Sequence, residues 1–178
     1  MRRFIERVFL VSVAGGVGVM MAGGMMYYAG ARVNTSKSIP RGLYWTSGEP
    51  FEKGRYVAFC PPPDPLLDTA RARGYIGSGF CPGGYSYMMK TISAAKGDTV
   101  SVTSQGVTVN GELLRGSAPL AFDAIGRPLP RLHVARRTLG DADLLLMAER
   151  SATSFDARYF GIVTRDRVQS IIRPVVVW

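Results

Sequence analysis

The chain of 178 residues has one histidine, His133, two cysteines, Cys60 and Cys81, and four lysines. Each scarcity removes a class of chemistry. A Ser-His-Asp triad would have to use His133, which stands in the proline- and arginine-rich stretch "PRLHVARR" with no supporting motif, so a solvated loop histidine is expected there. One His and two Cys cannot build the usual closed zinc site, so neither a metal nor another cofactor is expected. The cysteines are too far apart for a CxxC redox motif. A long basic block is also missing. Lys plus Arg exceed Asp plus Glu by 22 − 13, a net charge of +9, but the clusters are small: Arg2-Arg3-Arg7, Arg71-Arg73 and Arg136-Arg137. With no nucleic-acid signature either, no nucleic acid is expected as a partner, and a basic protein at a membrane surface accounts for the charge equally well. There is no internal repeat or low-complexity tract, and the length suits one domain with a real core.

Charge is missing altogether from Val8 to Gly30, "VFLVSVAGGVGVMMAGGMMYYAG", directly after the basic "MRRFIER". A stretch of that length can cross a bilayer as a helix. The arginines precede it, so the N-terminus should stay cytoplasmic and the rest be exported. Tyr27 and Tyr28 stand where an interfacial aromatic belt would be. Two readings stay open: an uncleaved anchor, favoured by the length of the run, and a cleaved signal segment, since "AGA" at residues 29–31 has the small-x-small pattern of a cleavage site. The chain thus divides into residues 1–31, the cytoplasmic N-terminus and membrane or signal segment, and residues 32–178, the exported domain. The bilayer is an expected partner. The domain is expected in the periplasm, tethered to the inner membrane or released if the segment is cleaved. In an oxidising compartment an even pair of cysteines reads as one structural disulfide, Cys60–Cys81, against the alternative of two buried thiols.

The exported part is mainly β. "GLYWTSGEPFEKGRYVAFCPP" reads as two short strands around a Gly-Glu-Pro turn, the second stopped by Pro61 to Pro63. "PDPLLDTARARG" reads as a short helix with Asp64 as N-cap, Pro65 at its first position and Gly74 as C-cap, inside the loop the disulfide would close. Val100-x-Val102 and Val107-x-Val109 alternate around a turn at 104–106, and Asn110-Gly111 marks the next turn. "PLAFDAIGRPLPRLHVARR" is read as loop with room for one strand, "DLLLMAER" as a buried strand, "SATSFDARYFG" as a polar loop and "VQSIIRPVVVW" as a closing apolar strand. A compact barrel-like or folded-sheet domain is expected.

The segment leaving the apolar run, "NTSKSIPRGLYW", has Ser36 and Ser38 two residues apart, followed by Pro40 and Gly42, which forbid a helix. It is either a juxtamembrane linker or a rigidly held nucleophile. A serine hydroxyl needs a base, and with His133 unsuited a lysine is the remaining candidate. Such a lysine must be neutral, which burial favours. Lys90, in "YSYMMKTIS", is flanked by Tyr87, Met88, Met89 and Ile92 and can point inward with Met88; a snorkelling edge residue is the plainer alternative. Lys53 and Lys96 stand beside glycines in turn-like contexts, and Lys37 is offset by one residue from both serines.

The ordered set "TSKSIPRGLY", "YMMKTISAAKGDTVSV", "VNG" and "SFDARYFGIV" resembles the type I signal peptidase family, and within it the TraF-type branch that serves conjugative plasmid transfer. The resemblance covers nearly the whole chain. It implies a signal-peptidase-like folded β-sheet domain and a Ser-Lys serine peptidase acting through an acyl-enzyme. Carried onto matching positions, it implies Ser38 as nucleophile, Lys90 as general base and Asp156 as a functional carboxylate. Ser154, with Asp156, would orient the lysine. Ser36 would assist the oxyanion hole beside the Ser38 N–H. Arg158 is expected to pair with a nearby carboxylate. The family's general members have Ser-Met-x-Pro, whereas Ser38-Ile39-Pro40 is one residue shorter, which supports the transfer branch. That branch implies a small membrane-embedded pilin precursor as substrate, which some members cyclise head to tail. Ser38 lies eight residues beyond Gly30, a reach of at most about 30 Å from the bilayer edge. Two other functions stay open: a housekeeping type I signal peptidase, and a non-enzymatic assembly factor of the transfer channel.

Overall fold

In the computed structural model, which describes residues 2–148 and 151–178, the charge-free stretch after the N-terminal arginines is helical. Residues 1–32 form one compact unit and residues 33–178 another. In the first, α1 (Arg2–Tyr28) buries none of its residues and is long and apolar enough to cross a membrane, by length and composition. A Cβ at any of its five glycines would meet no atom of the described residues within 4 Å. The helix stops where Gly30 takes a positive φ of 113°. Arg32 folds back on this end: its guanidinium lies 4.1 Å from the Tyr27 ring centroid and donates to the Tyr27 and Ala31 carbonyls. A cation on the last carbonyls complements the helix dipole.

The remaining elements in chain order are β1 (Ala31–Asn34), β2 (Gly42–Ser47), β3 (Tyr56–Phe59), α2 (Pro65–Ala72), β4 (Ser78–Cys81), β5 (Met88–Ala94), β6 (Thr99–Thr103), β7 (Gly106–Val109), β8 (Glu112–Leu113), β9 (Val134–Thr138), β10 (Asp143–Met147), α3 (Ala157–Phe160), β11 (Val163–Thr164) and β12 (Val168–Val177). They build a seven-stranded sheet in the order β1-β2-β12-β3-β5-β10-β11 and a four-stranded sheet in the order β8-β7-β6-β9. The domain is mainly β, as its alternating runs suggest. The last two residues of "DLLLMAER", Glu149 and Arg150, and Met1 of "MRRFIER" lie outside the described residues.

The two strands flanking the Gly-Glu-Pro turn form but are not neighbours. The C-terminal strand β12 lies between them, Ile171 pairing with Ser47 on one side and Val57 on the other. Near its end β12 shifts register between Pro174 and Val176, where a proline cannot donate to a ladder. Gly42 opposes this bulge. A Cβ there would meet the Val176 carbonyl oxygen at 2.2 Å, so only glycine lets β2 start against β12. The small sheet follows its alternation: Val100 pairs with Val109 and Val102 with Val107, and Asn110 and Gly111, at φ 53° and 87°, make the tight turn into β8.

The cap residues of α2 act nearly as the sequence suggests. The Asp64 side chain accepts from Leu66 N at 2.7 Å and Pro65 opens the helix, but Arg73 is the C-cap and Gly74, at φ 76°, follows it in the left-handed position. The larger departure is "SATSFDARYFG". Residues 151–156 form the expected loop, but residues 157–160 form a buried one-turn helix, α3, capped by Asp156. Its aromatic residues drive this: Phe155 stacks between Tyr75 and Tyr159, with ring centroids 5.7 and 5.2 Å away.

Strand β5 is buried along its whole length, between β3 and β10. Met88 and Ile92 join Val57, Phe59, Leu144 and Leu146 in one core, while Met89 joins Tyr44, Ala58, Ile172 and Ile39 in another. The valines of β6 and β7 pack with Ala94, Leu145 and Met147 into a third. Burial of each such side chain stabilises by about 1.5–3 kcal/mol, and this anchors the strand that carries Lys90.

Cys60 and Cys81 form a disulfide, closing the segment that contains α2. The double substitution Cys60→Ser/Cys81→Ser is expected to lower unfolding free energy by about 3 kcal/mol while leaving the fold intact. Urea denaturation of the two proteins checks this; an unchanged midpoint would contradict it.

Candidate functional site

The serine segment is a loop between β1 and β2, organised by the last residue of β1. Asn34 is 4% exposed and its carboxamide is fully used. Its Oδ1 accepts from Ser36 N at 3.1 Å and from Ser36 Oγ at 2.8 Å. Its Nδ2 donates to the carbonyls of Ser36, Ile39 and Pro40 at 3.1, 2.9 and 3.0 Å. Ile39 is buried, Tyr44 donates its hydroxyl to the Pro40 carbonyl at 2.6 Å, and Pro40 restricts the backbone beside them. The loop is therefore a held turn rather than a linker. It leaves Ser36 exposed and Ser38 half-buried.

Ser38 faces Lys90. Lys90 Nζ donates to Ser38 Oγ at 2.8 Å and to Ser154 Oγ at 3.2 Å, and the two serine oxygens are 3.5 Å apart. Position 90 pairs across the sheet with Val57, and Lys90 is only 2% exposed. Burial disfavours its ammonium form and draws its pKa down from 10.5 to about 8. The nearby Asp156 charge opposes that fall and the Arg158 charge adds to it. A hydroxyl and an amine of lowered pKa in direct contact are the components of an activated serine.

Asp156 does not lie among these three groups. It is fully buried and takes two bonds from the Arg158 side chain, Nε to Oδ1 at 2.7 Å and Nη2 to Oδ2 at 2.9 Å. Two backbone donors, Arg158 N and Ala148 N, complete its shell at 3.2 and 3.0 Å. Arg158 is equally buried and reaches the carbonyls of Gly116 and Ala152, each at 3.0 Å. This pair fixes the segment that presents Ser154, and Asp156 acts on Lys90 through its charge.

The group lines a cleft of about 620 Å³ whose walls include Val33, Ile76, Tyr87, Met88 and Phe155. Ser38 also borders a second cavity of about 320 Å³ with Lys53, Tyr56 and Thr91. A chain lying across Ser38 would thus find space on both sides. Lys37, Lys53 and Lys96 are exposed, Lys96 in a surface ion pair with Asp141. His133 is exposed and borders a different cavity, with Arg131 and Leu132. Among the described residues, no cluster of three or more His, Cys, Asp or Glu side chains could hold a metal ion.

The structure thus brings together Ser38, Lys90 and Ser154, sets Ser36 in the adjoining loop and places Asp156 behind Ser154. Asn34 went unread in the sequence. Its signal was the Asn-x-Ser spacing, in which a side-chain oxygen accepts from the backbone two residues on.

Comparison with known proteins gives the chain a lineage. It matches the family described as "Signal peptidase, peptidase S26" over residues 2–178. A plasmid transfer protein TraF of Escherichia coli is 54% identical over 178 residues, the full length of both chains. A conjugal transfer protein TraF of Agrobacterium fabrum is 29% identical over 170 residues, 93% of this chain and 94% of the relative. Among solved structures, a signal peptidase I from Enterococcus faecalis V583 is 15% identical with a TM-score of 0.39, over 71% of this chain and all of the other.

Removing one partner of the buried Asp156–Arg158 pair leaves a buried charge without compensation. Arg158→Leu is expected to destabilise the fold by about 3–5 kcal/mol, read from chemical denaturation; a change below about 1 kcal/mol would show that the pair is dispensable.

Proposed function

The chain belongs to the signal peptidase, peptidase S26, family, and on that premise we propose that it is a membrane-associated serine peptidase of conjugative plasmid transfer whose Ser38–Lys90 dyad processes a small pilin precursor. The observation that carries this reading is the 2.8 Å contact between Ser38 Oγ and a buried Lys90 whose pKa is drawn toward neutrality. The transfer role is supported by full-length relatives named plasmid transfer proteins. The α1 helix and the basic charge fit an inner-membrane protein with its catalytic domain in the periplasm.

Neutral Lys90 takes the Ser38 hydroxyl proton as Oγ attacks a peptide carbonyl carbon. The substrate chain lies across Ser38, between the larger cleft and the Lys53 cavity. The carbonyl oxygen becomes an oxyanion, stabilised by the Ser38 N–H with help from Ser36. As the C–N bond breaks, the Lys90 ammonium returns the proton to the leaving amine, and an acyl-enzyme remains. Lys90, neutral again, then deprotonates the second nucleophile. Water releases a free carboxylate, whereas the substrate's own N-terminal amine closes a cyclic peptide. Ser154 holds the Lys90 amine in line, and Asp156 is a positioning residue behind it.

The test is intact-mass analysis of the pilin precursor co-expressed with wild type, Ser38→Ala or Lys90→Ala. Wild type alone is expected to remove a C-terminal fragment. A product one water lighter than the hydrolysed chain identifies cyclisation, and the hydrolysed mass identifies simple proteolysis. Processing by either variant, or a precursor left intact by wild type, would overturn the assignment. The pH dependence has a definite sign: the base works deprotonated, so the rate should rise through a midpoint near 8 and level off above it. A flat profile would contradict Lys90 as base.

A further inference from the structure

The two donors available to an oxyanion at Ser38 are both turned inward in this structure. The Ser36 hydroxyl donates to Asn34 Oδ1 at 2.8 Å, and the Ser38 N–H donates to Ser36 Oγ at 3.3 Å. The second bond is long and exposed, the first shorter and partly buried. The resting loop therefore satisfies its own donors, and its weakest bond is the one that a reacting oxyanion would replace. A charged acceptor forms a stronger hydrogen bond than a neutral hydroxyl, so the exchange favours the transition state over the resting site.

What keeps these groups in place is Asn34. It neither touches Lys90 nor lies within the dyad. Its buried carboxamide instead ties Ser36 N, Ser36 Oγ and three carbonyls on both sides of Ser38 into one unit. A hydrophobic side chain at position 34 would leave those carbonyls and the Ser36 N–H without their partner. An aspartate would keep the acceptor but face the carbonyl oxygens with negative charge. Only a carboxamide supplies donors and an acceptor together at this reach.

We infer that Asn34 is the positioning residue of the oxyanion loop, its carboxamide holding the turn so that the Ser38 N–H, on leaving Ser36 Oγ, meets the tetrahedral oxyanion of the Ser38 reaction. The assignment rests on Ser38 being the nucleophile. Loss of one oxyanion donor costs about 10²–10³ in rate, and displacement by about 1 Å costs about 10². A displaced loop affects the transition state while leaving the cleft that binds substrate in place.

The experiment is steady-state processing of the pilin precursor by the full-length protein, comparing wild type with Asn34→Ala and Asn34→Gln across pH. Amide hydrogen exchange at Ser36 is followed in parallel. Asn34→Ala is expected to lower kcat about 100-fold with KM within about threefold of wild type, and to leave the pH midpoint unmoved. Its Ser36 amide should exchange faster, a readout that needs no substrate. Asn34→Gln keeps donor and acceptor one methylene too far out; it tests the same point should Asn34→Ala fail to fold, and should lose at least tenfold in kcat. A wild-type kcat in folded variants, a loss confined to KM, or a shifted pH midpoint would each overturn the assignment. If wild type itself leaves the precursor intact, the functional reading falls and this role with it. That outcome differs from failure of the Asn34 assignment alone, in which wild type and Asn34→Ala process the precursor equally.

Discussion

Placing an amine in the middle of a β-sheet is unfavourable for its charged form, and the rest of the domain is arranged around that constraint. Lys90 stands on a strand buried along its length, with β3 on one side and β10 on the other. Its side chain is almost wholly buried, so its proton is held more weakly than that of an exposed lysine. Two hydroxyls meet the amine, and each can accept from or donate to it as its protonation changes. A fixed carboxylate in contact would have restored the lysine to its charged form. Asp156 instead spends its oxygens on Arg158 and two backbone amides, and its charge reaches Lys90 only in competition with that of Arg158.

Three separate pieces of the chain must meet for this to work, and each is held by its own local chemistry. The serine loop is fixed by Asn34 and by the glycine that lets β2 begin against β12. The lysine strand is fixed by apolar packing on both faces. The Ser154 segment is fixed by the buried pair and by the aromatic stack of Tyr75, Phe155 and Tyr159. The disulfide adds a fourth restraint, since the loop it closes carries Ile76 into the cleft wall.

Local signals carried most of the elements. Alternating valines specified β6 and β7, Asn110-Gly111 their next turn, and Asp64-Pro65 the start of α2, because each depends on residues that are neighbours in the chain. The burial of Lys90 was readable because it alone among four lysines is surrounded by Met, Tyr and Ile, whereas its role as base came from the family resemblance. Non-local pairing was not readable: nothing in "VQSIIRPVVVW" says that it enters between two strands formed more than a hundred residues earlier. The α3 turn was missed because the polar residues in and just before it, Ser154, Asp156 and Arg158, suggested solvent, whereas Asp156 and Arg158 are buried by satisfying one another. Asn34 was overlooked for a related reason: a short polar residue just past an apolar run looks like the start of a linker until its partners are seen.

The central claim is that burial lowers the Lys90 pKa enough for its neutral amine to form near working pH and take a proton from Ser38. The most direct measurement is an NMR titration of the lysine side chains in protein labelled at lysine, with Lys90→Ala used to assign the resonance. Lys90 should titrate near 8, well below the 10.5 of an ordinary lysine side chain. A Lys90 midpoint at or above 10 would mean that burial does not release its proton, and Ser38 would lack its base.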